Sequence, residues 1–97
     1  MPKAYWVTCY RSISDPQKVA AYAKLAGPAT SQFGARYIAR GSAMHAFESG
    51  QKERTVIAEF PSTEKAIAAY NSPDYKKALE ALGDGAVRDI RIIEALE

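Results

Sequence analysis

Residues 53–79 read ERTVIAEFPSTEKAIAAYNSPDYKKAL, and they carry one strand and two helix starts in succession. Glu53 to Phe60 is short and rich in β-branched residues, which favours a strand, and Pro61 ends it. Ser62 then stands where a helix cap is needed. Glu64 falls near the positive end of that helix, and Ile67 and Tyr70 are expected to face inward. The helix stops at Asn71, and Ser72-Pro73-Asp74 repeats the start signal: a cap, a proline in the first turn, where no N–H is missed, and an acidic residue. Tyr75, Ala78, Leu79 and Leu82 then recur at helical spacing. One strand is therefore followed by a helix in two pieces.

Working outward, Ala4 to Tyr10 (AYWVTCY) has the aromatic and β-branched composition of a strand. The period changes in SISDPQKVAAYAKLAG, where Ser14 or Asp15 can cap, Pro16 suits the first turn, and Val19, Tyr22, Ala23 and Ala26 share a helical face. Gly27-Pro28 is expected to kink or briefly break this helix, with ATSQF continuing to Phe33 and Gly34 as the stop. Ala35 to Arg40 (ARYIAR) and then AMHAFE read as a strand bent or bulged at Gly41-Ser42, turning at SGQK into the strand at Glu53. After Gly83-Asp84-Gly85, AVRDIRIIEAL supplies the last strand.

The order is β-α-β-β-α-β, which predicts an α+β, ferredoxin-like fold: a four-stranded antiparallel sheet with its helices on one face. The other face then carries Ile38, Ile57 and one alternate set of the first strand. That set is Trp6, Thr8 and Tyr10 or Tyr5, Val7 and Cys9, and alternation does not choose between them. So much apolar surface calls for a partner, and a homodimer joined sheet to sheet is expected.

Composition narrows the class. Ninety-seven residues, 47% hydrophobic, make one domain over 1–97, and a net charge of +2, evenly spread, argues against nucleic acid or an anionic membrane as partner. No apolar run approaches the ~20 residues of a membrane span. The start MPKAYWVTCY lacks the layout of a signal peptide and Cys9 has no second cysteine, so a cytoplasmic protein is expected.

Three segments, ARYIARGS, VIAEFPSTEKAIAAYNSPDYKKAL and RDIRIIEAL, resemble the DUF1330 family of small proteins of unknown function. The resemblance runs over nearly the whole chain. It differs in RGS, which stands for Arg-Gly-Gly, and in YRSIS, one residue longer than usual. It implies a dimeric α/β barrel built from two ferredoxin-like protomers, with a pocket between sheet and helices.

Arg40 ends a strand beside Gly41, and Glu59 lies near the end of its hairpin partner, so both are expected on the same sheet face. An arginine there can grip a carboxylate or phosphate in a fork, and a partly buried glutamate can serve as a base. They are the candidate catalytic pair, with proton abstraction from a carbon acid as the reaction to test; the plain alternative is a structural ion pair. His45, Tyr70 and Tyr75 are added as walls of a site for a small polar or acidic molecule. No metal site is expected, since His45 is the only histidine and stands apart from other ligand types, and no motif calls for a cofactor. Cys9 reads as a small core residue and Ser72 as a cap, not a nucleophile. Gly83-Asp84-Gly85 lacks the Lys-Ser/Thr of a phosphate loop. Arg54, Lys52, Lys18 and Lys24 read as solvated surface.

Two functions follow: a dimeric barrel that binds or acts on a small molecule, or a non-catalytic dimerisation or stress-associated protein. An RNA-recognition module is disfavoured, because RTVIAEF lacks the stacking motif of that class.

Overall fold

A computed structural model describes residues 2–96. The elements are β1 (Ala4–Ile13), α1 (Pro16–Ser31), β2 (Arg36–Ser42), β3 (Arg54–Phe60), α2 (Thr63–Tyr70), α3 (Pro73–Leu82) and β4 (Ala86–Glu94). The strands lie in the order β2-β3-β1-β4, every neighbour antiparallel, and the helices cover one face. This is the ferredoxin-like arrangement. Its Cα trace is only 16 Å deep in the thinnest direction, as two layers require.

The caps stand where the sequence puts them. The Asp15 carboxylate accepts from the Gln17 and Lys18 amides at 3.1 and 3.3 Å, Ser62 Oγ from Lys65 N at 3.2 Å, and Ser72 Oγ from Tyr75 N at 3.2 Å. Ser72 also donates to the Ala69 carbonyl at 2.8 Å, so one hydroxyl closes α2 and opens α3. Ser72→Ala is therefore expected to lower stability by about 1 kcal/mol in a urea melt, the usual worth of a cap. An unchanged midpoint would show that neither helix end depends on it.

Burial settles the facing of β1. Ala4, Trp6, Thr8 and Tyr10 turn to the helices; Tyr5, Val7 and Cys9 turn away. Trp6 is the centre of the core, stacked on Phe60 at 5.7 Å and meeting Tyr75 edge-on at 5.2 Å. Alanines at 26, 29, 58, 66, 69 and 78 complete the same cluster, so helices and sheet approach closely around a few large rings.

Four local expectations are corrected. Pro28 does not break α1: it lies on the exposed side one turn after exposed Lys24, so water can take the carbonyl it frees. α1 does not run on to Phe33: it ends at Ser31 with Gln32 as its C-cap, and Gly34 follows in the turn at φ 87°, where a Cβ would lie 2.8 Å from Pro61 Cγ. AMHAFE is not strand: β3 begins only at Arg54, nothing lies opposite residues 44–48 to pair with them, and Met44 and Phe47 stand in solvent. Ile67 is 47% exposed, because α2 sits on the core through Ala66 and Ala69 instead.

The bulge of β2 falls not at Gly41 but at Ile38, between the pairs Tyr37–Ala58 and Ala39–Ile57. A second bulge falls at Arg11, between the pairs Tyr10–Arg88 and Ser12–Val87.

Candidate functional site

Between α1 and the helix-facing side of the sheet lies a small chamber of about 40 Å³, room for a few waters or the head of a small molecule. Arg40 reaches it from β2, Arg54 from β3 and Arg88 from β4, around walls that include Trp6, Tyr10, Tyr22 and Tyr37. No aspartate or glutamate lines it. Among the described residues these three guanidiniums take part in no salt bridge, although carboxylates elsewhere pair readily: Asp89 with Arg11 and Arg91, Glu59 with Lys3, Asp84 with Lys18.

The reason lies in strand parity. Arg54 is in phase with inward Val56, Ala58 and Phe60, and Arg88 is in phase with Ile90 and Ile92. Each charge is thus carried on the buried side of its strand. The Arg88 guanidinium lies 4.5 Å from the Tyr22 ring centre and 5.5 Å from that of Tyr10, and its Nη1 is buried with no hydrogen bond. Arg40 lies 5.2 Å from the Tyr37 ring centre. Ring faces soften the burial of a cation, but they do not replace an acceptor.

The hydroxyls form two pairs. Thr30 Oγ1 donates to the Ala26 carbonyl at 2.8 Å, which leaves Tyr37 to donate to Thr30 at 3.0 Å. Tyr22 and Tyr75 bond each other at 2.6 Å; when Tyr75 donates, the Tyr22 hydrogen is left for an occupant of the chamber. Burial pushes both phenols up from the usual 10.0, with Arg88 pulling partly the other way, so both are neutral at physiological pH. For Arg88, burial opposes the charge, but Tyr22 and Tyr75 outweigh it and its pKa is raised. The chamber is cationic and rich in donors, a setting for an anion's oxygens.

Of the residues expected to form the site, Arg40 alone lines this chamber. Glu59 does not share its face. It pairs across β1 with Tyr5 and across β2 with Arg36, on the open side of the sheet, where it lies 3.5 Å from Lys3. The bulge at Ile38 is the cause. Counting by twos from Arg36 puts Arg40 with Glu59, and the extra residue turns Arg40 to the helices. His45 is exposed in the connection after β2, away from the chamber. Tyr75 is fully buried behind Tyr22, and Tyr70 stands at the edge of the core, 38% exposed. Arg54, expected as solvated surface, lines the chamber instead, and so does Arg88, to which the sequence assigns no role. The usable signal was a charged residue in the inward phase of an apolar strand.

A family model described as a domain of unknown function (DUF1330) matches residues 3–96. No curated protein matches the sequence. Among solved structures, the chain is similar to a protein of unknown function from Rhodopseudomonas palustris, at 17% identity and TM-score 0.77, over 99% of this chain and 84% of that one. It is similar to a dimeric ferredoxin-like protein of unknown function from Thermobifida fusca, at 20% identity and TM-score 0.67, over 97% and 92%. It is also similar to a cofactor-independent oxygenase from Streptomyces nogalater, at 10% identity and TM-score 0.71, over 100% and 96%. At such identities the likeness is one of fold.

Proposed function

The chain belongs to the DUF1330 family, and from that premise we propose that it is a cytoplasmic homodimer that binds a small organic anion, a carboxylate above all, in the chamber of each protomer. One observation carries the reading: three arginines that form no salt bridge among the described residues line a chamber that has no carboxylate in its wall, and one of them has a buried, unbonded N–H. A carboxylate supplies two acceptor oxygens and the missing charge. Binding is the function supported, since the lining holds no histidine, cysteine or carboxylate to serve as base or nucleophile. Glu59 lies on the other side of the sheet, so proton abstraction by it from an occupant of the chamber is not part of this reading.

The open face supports the dimer. Val7 pairs with Ile57 and Tyr5 with Ile93, an apolar stripe bordered by the pairs Lys3–Glu59 and Arg11–Asp89. Apolar centre and charged rim are the anatomy of a protein interface. Light scattering at micromolar concentration should give twice the 10.6 kDa chain mass, and Ile57→Lys should give the single mass. A wild-type monomer would sink this half of the reading. Among the described residues no helix is long and apolar enough to cross a membrane, and no cluster of histidine, cysteine and acidic side chains is arranged to hold a metal ion.

Trp6, the only tryptophan, lines the chamber and reports its occupancy. Benzoate is expected to change its emission saturably, and neutral benzamide is not. Arg54→Gln should weaken benzoate roughly tenfold, the worth of one charged hydrogen bond. Equal responses to the two compounds, or no effect of the substitution, would leave a protein whose sheet face serves dimerisation alone.

A further inference from the structure

Along the edge formed by β4, α2 and α3 runs an open groove of about 710 Å³, with walls that include Ile67, Tyr70, Leu82, Ile90 and Ile92. Arg88 is its only charged wall residue and the one residue it shares with the chamber. The groove is not core left unfinished. α2 reaches the core through Ala66 and Ala69 and turns its larger apolar groups, Ile67 at 47% and Tyr70 at 38% exposure, to the groove. The inward residues of β4 run Ala86, Arg88, Ile90, Ile92, so beyond the cation lies about 13 Å of apolar strand.

We propose that chamber and groove are two compartments of one site joined at Arg88, and that the ligand is an amphipathic acid whose carboxylate enters the chamber and whose apolar body lies in the groove. The inference rests on the anion reading and gives it a substrate class. Charge complementarity selects the occupant. A wholly apolar molecule leaves the Arg88 N–H unbonded, and a compact anion leaves the isoleucines in water. A carboxylate with a hydrocarbon body meets both needs.

Acetate, butyrate, hexanoate and octanoate, titrated against the intact protein with Trp6 emission as readout, test the proposal. Affinity is expected to rise about two- to fourfold per methylene, the range for partial to full burial. Octanol, equally apolar and uncharged, should bind far more weakly than octanoate. Ile67→Ser, at an exposed position, should flatten the rise while leaving acetate unchanged, and Ile90→Ser gives a second wall to test. Equal affinity for all four acids with benzoate binding retained overturns the amphipathic class and leaves the anion reading intact. Failure of every carboxylate to bind overturns both. A change of molecular mass in Ile67→Ser, with no change in chain-length dependence, also overturns the inference, because the groove then serves a protein contact.

Discussion

Tyr75→Ala is expected to lower stability by about 3–5 kcal/mol, the usual cost of removing a large buried aromatic group. Tyr75 has no exposed surface, and its ring meets Trp6 and Tyr70 at 5.2 Å and Tyr22 at 5.9 Å. The cavity would have little means of collapse, because its other neighbours include alanines that cannot extend into it. A domain of this size holds a margin on the order of 5–10 kcal/mol, so about half is at stake. Urea unfolding followed by circular dichroism measures the loss. Tyr75→Phe separates ring from hydroxyl: it keeps the packing, leaves Tyr22 without its 2.6 Å partner, and should cost about 1 kcal/mol. If the alanine variant fell no further than the phenylalanine one, the ring would not be the centre of this core.

Arg88→Met is expected to weaken carboxylate binding roughly 10- to 100-fold while moving stability by no more than about 2.5 kcal/mol. Two effects oppose each other in the free protein. Losing the cation over Tyr22 and Tyr10 destabilises by about 0.5–2 kcal/mol, and relieving a buried N–H without an acceptor returns about 1–3 kcal/mol. Methionine keeps most of the stem, so packing changes little. Benzoate titration and a thermal melt on the same sample give both quantities. A variant that binds as tightly as wild type would remove Arg88 from the site, and one that binds poorly only because it has melted would mark it as structural.

The fold was legible because its signals are local. Proline and serine at 61–62 and again at 72–73 punctuate the chain: the first pair turns a strand period into a helical one, and the second ends one helix and starts the next. The site was less legible because it depends on which way single side chains face. Arg54 and Arg88 stood in the inward phase of their strands and could have been found by counting. Arg40 could not be placed that way. Its direction depends on one extra residue at Ile38, and nothing in ARYIARGS marks that residue as unpaired. Glu59 was placed correctly near a strand end, yet on the side of the sheet that the chamber does not touch.

The two bulges also bear on how this sequence can change length. At Ile38 two residues of β2 stand against one of β3, so losing one codon there would restore a regular ladder with Tyr37 still opposite Ala58 and Arg40 still opposite Val56. The extra residue at Arg11 has the same property: without it, Tyr10 would keep Arg88 as its partner and Ile13 would keep Ala86. In an alignment of relatives, one-residue gaps at these two points therefore leave the lining of the chamber unchanged. A gap inside the unbulged ladder of β3 would exchange the two faces of everything on one side of it. Descent can shorten this protein by a residue at either bulge without moving an arginine out of the chamber.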